Sequence, residues 1–570
     1  VQQRRFQHRL SRALILAAVL LAVAITGFTI IHFREPSLAP KRVVVGHFEN
    51  RTGDSSLGVL GDIADDYVAR GLAETRMVDV IDARGKSAPS AELARKLGAA
   101  TVVRGGYYRT GDTLYFESQI LDTRSGKLIM STQPAIGALE DRMKVVEQLR
   151  QRLMIGFAAL FGRGFEAWQA QSLPPNYEAY QEMLAGNDAT WRLDNNGALV
   201  HFRRAAAMDS TFLGAKTMMV LAAGLERRCA LADSVARQLA GSVARLAAVD
   251  RGQLDWGEAQ CRGDWPAALR AGRAVVAAAP RSIAFNVLLS VTALELFRPR
   301  EALAVLESSD ANAMELTPEQ RTMRSDFTGL AYHMLGEYRK ELAVARRTLR
   351  ALPDVPFLRI DELTALAALG DIKELKARRA AWFGRTDLLP NGVWTPSQID
   401  LCVGSELRAH GHPAEARAVL DAAAKWDRNN SRDQEGEPVP LVCSVRLFAP
   451  TYYLGNWDEA RALYKRMLAA DSSSTLAHEG LGALAARRRD LTEVRAMDDW
   501  LSTHPHSENG RTTYARARMA VLLGDRERGM SLLREAFDQG LSYRAYVHLD
   551  PDMEPLRNHP AYRQLVEIKG

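Results

Sequence analysis

The sequence predicts a mainly α-helical protein in three parts: one N-terminal transmembrane helix, a small α/β domain, and a long C-terminal solenoid of paired helices. Three observations carry that expectation. Residues 13–31 hold no charge, β-branched runs alternate with helical stretches over residues 42–135, and a turn-then-helix pattern recurs through residues 174–570. Of 570 residues, 47% are hydrophobic and 25% charged, values of a chain that folds largely in water and is too long for one small module. A net charge of +6 is too small to point to nucleic acid.

Ala13 to Ile31 read ALILAAVLLAVAITGFTII. At about 1.5 Å of rise per residue this run spans a hydrocarbon core of roughly 30 Å. Arg4, Arg5, Arg9 and Arg12 precede it. The positive-inside rule therefore keeps residues 1–12 as a cytoplasmic tail and places the bulk of the chain outside a bacterial inner membrane, in the periplasm or beyond. A cleaved signal peptide ending at Ala22-Val23-Ala24 and a buried soluble helix are the alternatives; the apolar residues that continue past Ala24 favour the anchor.

Val43-Val44-Val45 begins a strand, the turn-rich Glu49–Asp54 follows, and Leu60, Ile63, Ala64, Tyr67, Val68 and Leu72 fall at helical spacing. Met77–Ile81 and Thr101–Gly105 read as strands around a helix from Ser90 to Gly98. Alternation at Leu114, Phe116, Ser118 and Ile120, with turns at Gly111 and Gly126, suits a meander. The expected order is β-α-β-α-β-β-β over residues 42–135. GHFEN at Gly46–Asn50 and the stretch Glu92–Leu128 resemble the N-terminal domain of TolB and the TolB-like domain of bacterial transmembrane proteins carrying tetratricopeptide (TPR) repeats. The chain departs from that pattern at Gly46-His47, where relatives more often have Leu-Pro. The resemblance implies a non-catalytic protein-binding module of the cell envelope.

Leu139, Met143, Val146, Leu149, Leu153, Phe157 and Leu160 step by three and four, predicting one connecting helix within a linker at residues 136–173, before Pro174-Pro175. Beyond it, turn-then-helix rungs begin at Leu193, Gly263, Phe297, Gly336, Gly370, Gly411, Gly455, Arg489 and Gly524. Their intervals are 70, 34, 39, 34, 41, 44, 34 and 35, and a degenerate rung at Arg228 halves the first. This spacing resembles that of TPR repeats and predicts a TPR-like α-solenoid. Tyr180, Gly186, Ala198 and Phe202 are the expected core of the first pair; Gly263 with Trp265, Gly336 with Tyr338, and Gly455 with Trp457 are the expected glycine-aromatic rungs. The polar and proline-rich run 427–440 is the expected long loop. Leu549–Tyr562 resembles the closing segment of bacterial TPR proteins fused to serine/threonine kinases or adenylate cyclases, and is expected to cap the last repeat.

Catalytic patterns fail residue by residue. Gly85-Lys86-Ser87 has Val80 where a phosphate loop needs glycine, and His478-Glu479 has Gly482 where a zinc protease needs its second histidine. His410-Gly411-His412 and His504-Pro505-His506 lack a third ligand nearby. Arg262-Gly263-Asp264 reads as a helix end and cap. No catalytic, cofactor-binding or metal residue is assigned. Arg346-Arg347 and Arg487-Arg488-Arg489 read as solvated faces, with an acidic peptide as the alternative; Trp265 and Trp457 read as core, and Trp394, Trp426 and Trp500 as groove candidates. In an oxidising compartment the cysteines would pair as Cys229 with Cys261 and Cys402 with Cys443; four buried thiols are the alternative. The functional expectation is a non-enzymatic, membrane-anchored scaffold for protein partners, or equally a subunit that braces one large membrane complex. The alternative is the sensory half of a transmembrane kinase or cyclase whose catalytic part precedes Val1.

Overall fold

The structure is a computed structural model that describes residues 38–81, 90–161, 176–208, 212–280, 282–308, 316–383, 395–430, 450–504, 510–542 and 550–569. It divides into two compact units, Val1–Phe165 and Glu166–Gly570. Residues 13–31 lie outside the described residues, and among those described no helix is long and apolar enough to cross a membrane.

The first unit runs β1 (Ala39–Asn50), α1 (Val59–Glu74), β2 (Asp79–Ile81), α2 (Ser90–Lys96), β3 (Ala99–Thr110), β4 (Thr113–Asp122), β5 (Leu128–Ser131), β6 (Ala135–Ala138) and α3 (Arg142–Phe161). Strand order is β2-β1-β3-β4-β5, with β6 sharing the outer edge of β4. β1 lies parallel to β2 and β3, because each connection carries a crossover helix; the short turns at Gly111 and Gly126 force antiparallel pairing beyond. Alternation sends Leu121 to one face with Val44, Val102 and Ala94 of α2, and Ile120 to the other, toward Gly156 of α3. Tyr107 is fully buried, stacks on Phe116 at 4.7 Å and donates its hydroxyl to Leu57 O at 2.7 Å.

The expected connecting helix is not a connector. Val145, Val146, Leu149, Leu153 and Phe157 of α3 are buried, and α3 packs on α1, β4 and β6. The sheet domain therefore runs past residue 135 to Phe161, because an apolar face of that width needs a partner, and the sheet supplies it.

The second unit is helical. Its first six helices are α4 (Tyr177–Trp191), α5 (Asn195–Met208), α6 (Leu213–Leu225), α7 (Cys229–Leu239), α8 (Ala248–Arg262) and α9 (Trp265–Ala278). Then come α10 (Ile283–Glu295), α11 (Pro299–Ser308), α12 (Pro318–Met334), α13 (Tyr338–Ala351), α14 (Pro356–Leu369) and α15 (Ile372–Phe383). α16 (Pro396–Ala409), α17 (Pro413–Asn430), α18 (Pro450–Tyr453), α19 (Trp457–Ala470), α20 (Thr475–Arg488) and α21 (Leu491–Thr503) follow. α22 (Arg511–Leu523), α23 (Arg526–Asp538), a 3-10 turn at Pro551–Leu556 and α24 (Pro560–Leu565) close the chain. The expected loop run 427–440 is helical in α17 up to Asn430; the rest lies outside the described residues.

Helices pair as A and B across a turn, and each turn contains a residue of positive φ. These are Leu193, Arg227, Gly263, Phe297, Gly336, Gly370, Gly411, Gly455, Arg489 and Gly524. The left-handed residue ends helix A and lets the next residues cap helix B, as Asp264 does by accepting from the Ala267 N–H. Arg227 stands at the degenerate rung. In the first pair a Cβ on Gly186 would lie 2.3 Å from the Phe202 ring, so only glycine permits that approach. Phe202 and Ala198 are fully buried and Tyr180 is buried. This A/B stacking is a TPR-like solenoid in its own geometry.

Candidate functional site

The helices A carry an unexpected row of buried polar groups. Asp250, Asn286, Asp326, Asp361 and Asp400 stand on α8, α10, α12, α14 and α16, and all are buried. Charge is matched across repeats: Arg346 of α13 pairs with Glu362 at 3.0 Å and reaches Glu374 of α15, and Arg379 of α15 holds Asp400. Arg511 grips Glu479 with two bonds of 2.7 and 2.9 Å, both side chains buried. Such fork-to-fork bonds compensate the cost of taking the ions out of water.

His333 is the densest node. Its Nδ1 lies 2.8 Å from Glu341 and its Nε2 3.3 Å from Glu406, so one imidazole joins α12, α13 and α16. Tyr338 places its ring edge-on to both His333 and His410, at 5.1 and 4.9 Å. Burial opposes charge on His333, but Glu341 and Glu406 outweigh it and hold its pKa well above the ordinary imidazole value. Asp361 is pushed well above the carboxylate range by burial, then by Asp326 and Glu341.

A second node anchors the closing segment. Asp552 accepts from Tyr452 O–H at 2.8 Å, from Arg518 at 2.6 Å and from Arg487; Asp550 accepts from Tyr514 O–H at 2.7 Å. Burial favours the neutral acid at both, yet Arg518 and Arg487 hold Asp552 below its usual value while Asp550 is raised. Arg487 is therefore no solvated cation, as its sequence context suggests, because its partner arrives from 65 residues away. Arg488 pairs with Glu493 and Arg489 forms the turn.

The remaining sequence candidates fall as follows. Gly263, Gly336 and Gly455 form left-handed turns. Trp265 is buried and Tyr338 half-buried, but Trp457 is 41% exposed, with the Arg487 guanidinium 5.4 Å above its ring. Its assignment to the core is corrected: at the first position of α19 it faces out, and Tyr464 fills the interior. Trp500 is stacked between His478 at 3.5 Å and His504 at 4.2 Å, and Trp426 is half-buried; Trp394 lies outside the described residues. Cys229, opening α7, is disulfide-bonded to Cys261 near the end of α8. Cys402 is also disulfide-bonded, and Cys443 lies outside the described residues, as do residues 85–87. In the first unit His47, Asp62 and Asp65 gather within 4.8 Å, a cluster the sequence reading passed over because its members come from a strand end and a helix.

No protein-family model matches the chain, and no curated protein does. Among solved structures it is similar to TTC0263, a thermophilic TPR protein of Thermus thermophilus, at 20% identity over 37% of this chain and 94% of that one, with a TM-score of 0.24. A tetratricopeptide repeat protein of Parabacteroides merdae aligns at 12% identity over 45% and 95% of the two chains, with a TM-score of 0.28. Yeast Tom70 aligns at 11% identity over 68% and 83%, with a TM-score of 0.26.

Proposed function

We propose that the protein is a non-enzymatic scaffold, anchored to a bacterial inner membrane by residues 13–31, that holds protein partners outside the cytoplasm. The observation that carries this reading is the stack of A/B helix pairs from Tyr177 onward, whose buried ionisable groups bind one another across repeats. His333 has a carboxylate at each ring nitrogen and joins helices of different pairs. Stacked helix pairs offer a long rigid surface suited to capture of a peptide or helix. The extracytoplasmic placement draws support from the Arg-flanked uncharged run and from the Cys229–Cys261 disulfide, a bond that persists in oxidising compartments. The TolB-like resemblance of residues 42–135 adds a second protein-binding module to the reading.

The test is affinity purification of the full chain from solubilised membranes, with mass spectrometry of what accompanies it. The reading expects companions in fixed stoichiometry. Recovery of the chain alone from the soluble fraction would overturn both the anchor and the scaffold.

A further inference from the structure

In the first unit, the end of β1 lays an imidazole over the first turns of α1. Asp62 and Asp65 stand three residues apart on α1, so both carboxylates leave one helix face. His47 meets them from β1: its Nδ1 is 2.7 Å from Asp65 Oδ2 and 3.9 Å from Asp62 Oδ1. The approach depends on Gly61, where a Cβ would stand 2.9 Å from His47 Cε1 and 2.6 Å from Phe48 O. The Phe48 N–H donates to Asp65 Oδ1 at 2.9 Å, which fixes that carboxylate and turns Oδ2 toward the histidine. Outer hydrogen bonds of this kind orient metal ligands.

A plain ion pair accounts for His47 and Asp65 alone. One Nδ1–H can donate to one carboxylate, yet Asp62 brings a second oxygen into the same 4.8 Å cluster. A dication can be shared by both carboxylates at once, where one Nδ1–H serves one of them. We propose that His47, Asp62 and Asp65 bind one divalent transition-metal ion of the zinc class. One imidazole nitrogen with two carboxylate oxygens is a mixed N/O donor set, suited to Zn²⁺ and its first-row neighbours and unsuited to soft Cu(I). Three protein ligands leave a tetrahedral ion one position for water or for a side chain of a bound protein. The side chains of His47 and Asp62 are 57% and 77% exposed, so that position opens to solvent.

The test is calorimetric titration of the full, chelator-stripped chain in detergent with ZnCl₂, repeated with CoCl₂ to read the visible absorption of the bound ion. The expected result is saturable one-to-one binding that His47→Gln abolishes and Asp62→Asn weakens by about tenfold or more. Asp62 is exposed, so Asp62→Asn keeps the fold, and an unchanged circular dichroism spectrum verifies this. Absence of saturable binding, or one-to-one binding that survives both substitutions, would overturn the proposal. Loss of binding in these variants leaves partner capture by the solenoid untouched, so this site and the scaffold reading fail separately.

Discussion

The indole N–H of Trp265, at the start of α9, donates to the carbonyl oxygen of Gly540, 275 positions later and just beyond α23, at 2.7 Å. A second tie lies nearby, where the Lys569 N–H donates to Phe297 O at 2.9 Å. In an ordinary repeat array each unit touches only its neighbours and stability is a sum of local terms. Here an early repeat and the last one are coupled. Trp265→Phe keeps most of the ring and removes the donor, leaving a buried carbonyl unmatched. The expected cost is about 1–2 kcal/mol, with faster amide exchange around Gly540 in deuterium-exchange mass spectrometry. Unchanged exchange there would show that the tie does not hold in solution.

The Asp552 node predicts a larger effect. Asp552→Ala removes the carboxylate shared by the buried Arg518, which keeps Asp550, and the half-buried Arg487, and breaking a buried ion pair from one side costs about 3–5 kcal/mol. Denaturant unfolding followed by tryptophan fluorescence should show that loss. Asp538, exposed at the end of α23, is the control position, and Asp538→Ala should fall within about 0.5 kcal/mol of the parent.

Two buried groups, His333 and Asp361, contribute stability that falls as pH rises. The folded pKa of His333 and that of Asp361 are both raised, so the native state binds protons that the unfolded chain has released. The Asp361 contribution is full below the unfolded carboxylate value of about 4 and is lost as pH climbs through its folded value. The His333 contribution is full below about 6.5 and is lost above, as pH passes through the raised folded value. Asp361→Asn should flatten the decline from acid to neutral pH, and His333→Gln the decline from neutral to alkaline. Unfolding curves collected across pH for the three proteins decide it; parallel profiles would count against both assignments.

The Cys229–Cys261 bridge closes a separation of 32 residues. Chain entropy assigns such a loop about 3–4 kcal/mol. Cys229→Ser with Cys261→Ser should lower stability by that order, and the parent, unfolded without reductant, should give no reaction with a thiol reagent at either position in peptide mapping.

Turn chemistry gives a paired prediction of opposite sign. Arg489 is exposed at φ 57°, a conformation that costs a side-chain-bearing residue about 1 kcal/mol. Arg489→Gly should stabilise by up to about that amount. Gly336 has φ 72° and open space around its Cα, so Gly336→Ala should destabilise by about 1 kcal/mol through backbone conformation alone. Thermal melts of the two variants should shift in opposite directions.

Much of the helical ladder was legible because its signals are local: a glycine or its substitute closes helix A, and at half of the rungs an Asp (Asp194, Asp264, Asp371, Asp490, Asp525) caps helix B. Leu193, Phe297 and Arg489 show that the turn survives without glycine, which is why the rungs could be found by position better than by residue type. The buried row on helices A was not read, although Asp250, Asn286, Asp326, Asp361 and Asp400 recur at 36, 40, 35 and 39 residues. An acid on a helix reads as solvated unless its partner is visible, and Arg379 for Asp400 or Arg518 for Asp552 comes from another helix. Trp457 erred the other way, since an aromatic after glycine marks a rung without stating which side it faces. His47, Asp62 and Asp65 are ordinary in sequence; only the crossing of β1 over Gly61 brings them together.

The cross-repeat matching of charges has a consequence for how such a chain can change. Arrays of interchangeable units lengthen and shorten readily when recombination duplicates or deletes one of them. In this protein several units carry half of an ionic contact whose other half is written into a different one, as Arg346 with Glu374 or Arg511 with Glu479. Excision of the unit that carries Arg511 would leave Glu479 a buried carboxylate without its ionic partner, so that unit cannot be lost as freely as an interchangeable one.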